Sequence, residues 1–334
     1  MDTQKPYVIG VDLGGTNTVF GIVDARGDIV AQDSIKTQAY KTADAFVEAG
    51  VECLKPLIAQ VGGLDKIAGM GIGAPNANYY TGAIEYAPNL SWAHDGVVPL
   101  AQMFSDRLST LAPCSSPLAP LKVRITNDAN AAAMGEMTYG VARGMKNFIV
   151  ITLGTGLGSG IVINGQLVYG HDGFAGELGH VKVDHSANAR LCGCGRHGCL
   201  EAYCSATGMA RTAREMLQLS EQPSLLREKN PDDIESLDVF LAAQQGDEMA
   251  KGIFNYTGFT LGEACADFAA FSSPEAFIFF GGLCKAGDLI MKPIEEAYNR
   301  SVRPIFQGKA KFLVSSLMNA NAAVLGASAL GWEE

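Results

Sequence analysis

Clusters of positive charge are missing from this sequence. Its 334 residues contain 25 Lys and Arg against 35 Asp and Glu, which gives a formal net charge of −10. A protein that binds nucleic acid neutralises phosphates with grouped Lys and Arg side chains, and no such group occurs along the chain. We therefore expect no nucleic-acid partner.

Long apolar runs are also missing. No uninterrupted apolar stretch reaches the ~18 residues that a helix needs to cross a bilayer. The N-terminal sequence MDTQKPYVIGVDLGG has neither the basic region nor the apolar region of a secretion signal. Apolar residues make up 48% of the chain and charged residues only 18%, so a large core can form. These features predict a cytoplasmic protein with no membrane partner.

A disulfide framework is not expected either, although the chain has eight cysteines. Such frameworks belong to small secreted chains, whereas one cysteine cluster in a large chain is more typical of a metal site. Four cysteines cluster between residues 192 and 204, and the others lie singly in largely apolar sequence: Cys53, Cys114, Cys265 and Cys284.

The cluster follows a histidine in the segment GHVKVDHSANARLCGCGRHGCLE, residues 179–201. His180 with Cys192, Cys194 and Cys199 has the composition of a closed structural zinc site. Four protein ligands leave no open position for a catalytic water, so we predict that zinc holds a loop together. The spacing leaves three alternative ligands open: His197, Cys204 and, more weakly, His185.

Two glycine-rich turns occur in segments that resemble each other. VIGVDLGGTNTVFGIV (8–23) and IVITLGTGLGSGIV (149–162) each contain an apolar strand, a Gly/Thr-rich turn and a second strand. The chain lacks G-x-x-x-x-G-K-[ST], so it has no P-loop, and the second turn, with glycines at 154, 156, 158 and 160, does not fit the dinucleotide fingerprint G-x-G-x-x-G. Backbone amides in glycine turns can approach phosphate oxygens closely. The repeat therefore predicts two similarly built halves that bind one phosphate chain.

Two aspartates lie at predicted strand ends. Asp12 ends the first strand, where a carboxylate is costly unless it is paired or binds a metal; it could bind Mg²⁺ or merely cap the turn. Asp128 lies between Asn127 and Asn130 where a strand runs into a helix. A carboxylate there can accept a proton from a hydroxyl that attacks a phosphate, or it can cap the helix. Taken alone, these residues favour the cap.

Two glutamates flank the predicted zinc ligands. Glu177 lies three residues before His180, and Glu201 lies two residues after Cys199. Rigidly held carboxylates can accept hydrogen bonds from sugar hydroxyls, so the zinc loop could be a scaffold for sugar recognition. The alternative is that both glutamates are exposed loop charges.

Strands alternate with helices along the chain, which predicts an α/β protein. Several segments together resemble the ROK family of sugar kinases and repressors, within the actin-like, hexokinase-like ATPase superfamily. The resemblance implies two lobes built from duplicated ribonuclease-H-like domains, with a zinc-stapled loop. The small lobe would comprise residues 5–126 and 320–334, and the large lobe residues 127–319. The segments are DLGGTN (12–17), NDAN (127–130), LGTGLGSG (153–160), GELGH (176–180), CGCGRHGCLE (192–201) and FFGGL (279–283).

The resemblance also implies roles for individual residues. Asp128 would be the general base, and His180 would bind both zinc and sugar. Leu178 stands where the family often has Phe. The implied sugar-binding residues are Gly73, Asn89, Asn127, Asp128, Glu177, His180 and Glu201. The implied ATP-binding residues, with Mg²⁺, are Asp12, Gly14, Gly15, Thr16, Asn17, Gly154, Thr155, Gly156, Gly281 and Gly282.

The implied activity is ATP-dependent phosphorylation of a hexose at its 6-hydroxyl, with D-glucose as the first candidate. N-acetylglucosamine, N-acetylmannosamine, fructose and allose are alternative substrates, and a sugar sensor without catalysis is the alternative from another class. Closure of the lobes around the sugar would exclude water. Repressors of the family carry a helix-turn-helix domain before the first phosphate loop, and here only a few residues precede the first strand. The resemblance also implies a homodimer or homotetramer.

Overall fold

A computed structural model describes residues 5–111, 120–317 and 322–333. The chain divides into two compact units. Unit 1 comprises Met1–Gly144, Leu167–Ala175 and Ser316–Glu334, and unit 2 comprises Met145–Gln166 and Gly176–Ser315. Helix and loop residues 127–144 belong to unit 1, whereas the expected large lobe began at residue 127. Cys114 lies outside the described residues.

The secondary-structure elements are numbered in chain order. The strands are β1 (Tyr7–Leu13), β2 (Thr18–Asp24), β3 (Ile29–Ile35), β4 (Ile67–Gly73), β5 (Ala77–Asn78), β6 (Ala83–Glu85), β7 (Val97–Val98), β8 (Val123–Thr126), β9 (Phe148–Leu153), β10 (Leu157–Ile163), β11 (Gln166–Leu167), β12 (Ala276–Phe280) and β13 (Lys311–Val314). The helices are α1 (Ala43–Gln60), α2 (Leu100–Ser109), α3 (Asp128–Thr138), α4 (Glu201–Cys204), α5 (Ala206–Leu219), α6 (Ser236–Gln244), α7 (Glu248–Ser272), α8 (Asp288–Ser301) and α9 (Ala322–Leu330). None of the helices among the described residues is long and apolar enough to span a membrane.

The main sheet of each unit has the same plan. In unit 1 the strand order is β3-β2-β1-β4-β8, with an antiparallel hairpin β1–β2 and parallel pairing of β1 with β4 and of β4 with β8. In unit 2 the order is β11-β10-β9-β12-β13, with an antiparallel hairpin β9–β10 and parallel pairing of β9 with β12 and of β12 with β13. The α/β class and the internal duplication predicted from the repeated glycine segments are therefore confirmed.

The core of unit 1 forms on both faces of its sheet. On one face α1 and α2 bury aromatic residues, with Phe46, Phe20 and Phe104 fully covered. On the other face α9 lies directly on β1 and β4. A Cβ atom on Gly71 would lie 1.9 Å from the carbonyl oxygen of Ala327, so only glycine permits this close approach. The contact fixes the ends of β1 and β4, where the candidate site begins.

Replacing Gly71 with alanine is expected to destabilise unit 1. The added methyl group overlaps the backbone of α9, and overpacking of this kind costs about 3 kcal/mol in the free energy of unfolding. Thermal or denaturant unfolding monitored by circular dichroism measures the change. The matched control is Gly96→Ala, because no heavy atom of the described residues lies within 4 Å of a Cβ at Gly96. Equal stability of the two variants would contradict the close packing of α9.

Candidate active site

At the start of α3 the structure shows which residue caps the helix, a choice between Asn127 and Asp128 that the sequence left open. Asn127 is the N-cap of α3, and its side-chain oxygen accepts a hydrogen bond from the Asn130 amide at 2.7 Å. Asp128 is the first residue of the helix, and its Oδ1 accepts from the Ala129 amide at 2.8 Å. The cap is therefore supplied by Asn127, and helix capping does not account for the carboxylate of Asp128.

The carboxylate of Asp128 lies near that of Asp12. Burial, and secondly the negative charge of Asp128, raise the pKa of Asp12 from 3.8 to about 6. Asp128 is exposed to water, but many protein atoms surround it. The resulting partial loss of solvent raises the pKa of Asp128 as well. Gly73 is paired with Asp12 in the sheet, and a Cβ at Gly73 would lie 3.9 Å from the Cα of Asp128. Two carboxylates that repel each other fit a site that receives a divalent cation.

The raised pKa of Asp12 predicts how the free energy of unfolding changes with pH. Because the folded state binds this proton more tightly than the unfolded state, the free energy of unfolding falls as pH rises from about 4 to about 7. We expect Asp12→Asn to remove this loss and to stabilise the protein above pH 7 by roughly 1–3 kcal/mol. Unfolding measured at pH 5 and pH 8 checks the change. Asp65→Asn, at an exposed position, is the control, and a gain that does not increase with pH would contradict the assignment.

The first glycine turn lies against Asn89. The Gly14 amide donates to the carbonyl of Asn17 at 3.0 Å, which closes the turn and leaves the Thr16 and Asn17 side chains exposed. A Cβ on Gly15 would lie 3.1 Å from the carbonyl oxygen of Asn89. The structure thus brings two predicted groups, the phosphate turn and a sugar-side residue, into contact within unit 1.

A cavity of about 590 Å³ opens beside Gly15 and Asn89. Side chains of Gln38, Trp92 and His94 line it, and sequence reasoning did not select any of these three. They come from the residues after β3 and from the loop around Asn89, so only the fold brings them together. The sequence signal that could have found Trp92 and His94 is their position within five residues of Asn89 in APNLSWAH.

The second glycine turn, in unit 2, contacts Glu201 directly. The Leu157 amide donates to Glu201 Oε2 at 2.9 Å, and a Cβ on Gly156 would lie 2.5 Å from the same oxygen. The Gly154 amide donates to the carbonyl of Gly156 at 3.0 Å, which closes the turn. Glu201 is therefore not a free loop charge. It joins the second glycine turn to the segment that carries the cysteines.

The backbone of the second glycine turn has free space beside it at Gly154, and so does the neighbouring Gly282. In the described residues, a Cβ on Gly154 or Gly282 would meet no heavy atom within 4 Å, so the space is available to a ligand. Gly281 has a φ of 114°, and a Cβ there would lie 2.4 Å from the carbonyl of Leu153, at the end of the neighbouring strand. Gly281 and Gly282 therefore lie beside the second glycine turn, and the backbone fits the approach of phosphate groups.

The four predicted zinc ligands come together. Their ligand atoms all lie within 4.8 Å of one another, with 3.7 Å between the sulfurs of Cys194 and Cys199 and 3.8 Å between Cys192 Sγ and His180 Nδ1. A tetrahedral zinc ion with Zn–S bonds of about 2.3 Å places its sulfur ligands about 3.8 Å apart. The donor set and its spacing therefore fit zinc.

The alternative ligands lie outside this group. Cys204 is buried in α4, and its sulfur contacts the carbonyl of Thr257 at 3.5 Å. His197 forms a β-bridge with Leu191. In the part of the chain that the structure describes, neither residue nor His185 belongs to the group of converging ligand atoms.

His180 presents its two ring nitrogens to different partners. It ends a short 3₁₀ helix, Leu178–His180, with Nδ1 toward Cys192. Its Nε2 lies 4.0 Å from Oε2 of Glu177, which is exposed. One ring can thus hold a metal through Nδ1 while Nε2 points to the Glu177 carboxylate. The arrangement offers an imidazole and a carboxylate to a hydroxyl-bearing ligand.

Known proteins share this combination of fold and motifs. The profile of the ROK family matches residues 8–334. The glucokinase of Streptomyces coelicolor is 34% identical over 335 residues, which cover 97% of each chain. The N-acetylmannosamine kinase of Salmonella newport is 27% identical over 332 residues, which cover 96% of this chain and 97% of that protein.

A solved structure extends the similarity to three dimensions. The ROK family glucokinase from Streptomyces griseus, in complex with glucose and AMPPNP, is 33% identical, and the match covers 97% of this chain and 98% of that one with a TM-score of 0.75. This agreement confirms the actin-like, two-lobed α/β fold expected from the motifs. The chain belongs to the ROK family.

Proposed function

We propose that this protein is a hexokinase-type sugar kinase, a glucokinase that transfers the γ-phosphoryl group of ATP to the 6-hydroxyl of D-glucose. The observation that carries the proposal is the carboxylate of Asp128, which is not the cap of α3 and has a raised pKa beside Asp12. The identity of 34% to the glucokinase of Streptomyces coelicolor, over 97% of this chain, also supports the proposal. A perturbed carboxylate among ligand-binding motifs is typical of catalytic groups.

Asp128 has the properties of a general base. As the 6-hydroxyl oxygen attacks the γ-phosphorus, its proton passes to the carboxylate of Asp128, and the bond from phosphorus to the β,γ-bridging oxygen breaks to release ADP. Partial loss of solvent, which raises the pKa of Asp128, makes its carboxylate a better proton acceptor. Asn127 holds the start of the helix in place, so the base needs no rearrangement of α3.

The two glycine turns and Asp12 would bind the nucleotide. The open space beside Gly154 leaves room for phosphate oxygens, and the exposed first turn can donate amide hydrogen bonds to them. Asp12 would bind Mg²⁺ through its waters, because its carboxylate is repelled by Asp128 and gains from a nearby cation. When bound, Mg²⁺ neutralises phosphate charge.

Carboxylates, amides and one imidazole would hold the sugar hydroxyls. Glu177 lies next to His180 Nε2, and Glu201 is fixed by the Leu157 amide. Zinc in the Cys₃His site would supply structural support, since four protein ligands fill its coordination. The remaining proposed sugar-binding residues are Gly73, Asn89 and Asn127.

A coupled ADP-release assay over a panel of hexoses tests the proposal. We expect the highest kcat/KM with D-glucose, with glucose 6-phosphate as the product. A larger kcat/KM with N-acetylmannosamine would favour that alternative, which the 27% identity to the Salmonella newport enzyme supports. Sugar binding without ADP release from any hexose would overturn kinase activity and favour a sensor.

We also propose that the protein is cytoplasmic and oligomeric. The lack of a membrane-spanning helix among the described residues agrees with a cytoplasmic protein. We propose a homodimer or homotetramer, and sedimentation of the purified protein would measure its assembly state. A monomer at assay concentrations would contradict it.

A further inference from the structure

A one-residue break separates α4 from α5. In a continuous α-helix the Ala206 amide would donate to the carbonyl of Ala202, four residues earlier. Instead it donates to the carbonyl of Gly154, in the second glycine turn, at 2.9 Å. Ser205 is extended at the break and caps α5. The carbonyl of Ala202 is therefore released from its helical donor.

The side chain of Arg190 occupies this break. Its Nη1 donates to the carbonyls of Ala202 at 3.0 Å and Gly208 at 3.4 Å, and its Nε and Nη2 donate to Glu215 Oε2 at 3.1 and 2.5 Å. The guanidinium carbon lies 4.5 Å from the centre of the Tyr203 ring, and only 7% of the side chain is exposed. A buried cation of this kind persists only when its donors are satisfied.

The break turns the start of both helices toward the second glycine turn. Glu201, at the first position of α4, accepts the Leu157 amide, and the Thr207 hydroxyl donates to the carbonyl of Thr155 at 2.8 Å. With the amide of Ala206, three contacts from the two helices hold this turn. If the break closed into a regular helix, these contacts could not all form, since Ala206 would bond within the helix.

We infer that Arg190 is a positioning residue: by bonding the carbonyls at the α4–α5 break, it holds Glu201 and the second glycine turn in the geometry that sugar and nucleotide require. The inference rests on the proposed function of this site. Arg190 acts through Glu201 and the backbone. Its planar guanidinium group donates hydrogen bonds to two carbonyls and to a carboxylate at the same time, which the single ammonium group of lysine cannot do.

Kinetics of Arg190→Lys and Arg190→Met test this role, with Arg211→Met as the matched control. Arg211 donates to the other oxygen of Glu215 at 2.8 Å and to the carbonyl of Leu191 at 3.3 Å. In the described part of the chain it has no hydrogen bond to the carbonyls at the break. We expect both Arg190 variants to raise KM for glucose and ATP about tenfold or more, as supporting residues of binding sites commonly do, with zinc content unchanged. Arg211→Met should keep both KM values within about twofold.

The split between KM and kcat separates positioning from loss of fold. An unfolded fraction lowers the apparent kcat but leaves KM unchanged, so a raised KM reports the geometry of the folded protein. If Arg190→Met does not fold, the lysine variant provides the result. Native KM values in Arg190→Lys, or an equal rise in Arg211→Met, would overturn the inference.

Hydrogen exchange gives a readout without catalysis. The Leu157 amide and the amides of residues 206–208 should exchange about tenfold faster in the Arg190 variants and at the native rate in Arg211→Met. Unchanged exchange at these amides would also overturn the role of Arg190. If the wild-type protein phosphorylates no hexose, the proposed function fails, and exchange alone decides whether Arg190 holds the break.

Discussion

Replacing Asp128 with asparagine should lower kcat for glucose phosphorylation by about 10³-fold, because an amide cannot accept the proton of the 6-hydroxyl. The amide oxygen can still accept the Ala129 hydrogen bond that Asp128 Oδ1 now accepts. The cap of α3 is untouched, since Asn127 supplies it. KM for glucose should change much less than kcat. Steady-state kinetics with a coupled ADP assay measure both constants, and circular dichroism checks the fold.

The control for this variant is Asp44→Asn. Asp44 lies in the first turn of α1, as Asp128 lies in the first turn of α3, and both helices have a capping residue just before them. Both substitutions remove a negative charge from a helix start, which changes stability by about 0.3–1 kcal/mol. Only Asp128→Asn should lose activity. Equal phosphorylation rates in Asp128→Asn and the wild-type protein would exclude the proposed base.

Local sequence patterns predicted much of the fold. The α/β class follows from the alternation of strands and helices along the chain, and the duplicated hairpins follow from the repeated glycine segments. The α4–α5 break could not be predicted in the same way, because Ser205 is a permissible residue in a helix and long-range bonds to Gly154 and Arg190 make the break. Tertiary contacts override local propensity at this point.

For the candidate site, the sequence indicated which residues could take part but left open which of them hold the metal and which caps α3. The cysteine spacing indicated a metal site, but the choice of His180 over His197 depends on a 3₁₀ helix that only the fold places beside the cysteines. The sequence likewise favoured a cap at Asp128, because either residue of an Asn-Asp pair can cap a helix. Side-chain hydrogen bonds at Asn127 decide between them.

Loss of the metal is expected to weaken glucose binding strongly. Burial, with a contribution from Glu201, raises the pKa of the Cys192 thiol to about 12, so this residue is a neutral thiol unless a cation holds it as thiolate. Cys192 Sγ lies 3.4 Å from Glu201 Oε1, so loss of the metal would leave a protonated thiol that donates to this carboxylate and would deprive His180 of its anchor. We expect Cys194→Ser, or removal of zinc by a chelator, to raise KM for glucose by about 10–100-fold. Mass spectrometry of the native protein measures the metal content.

Thermal unfolding provides the second measurement, since a structural metal contributes to folding. Cys194→Ser should unfold at a lower temperature, and added zinc should not restore it. The matched control is Cys204→Ala, which removes a nearby buried cysteine whose sulfur contacts Thr257 rather than the four ligands. That variant should retain a full complement of zinc and a native KM, which would exclude Cys204 as a ligand. Native glucose affinity in the metal-free protein would refute the scaffolding role, because Glu201 and His180 would then hold their positions without the ion.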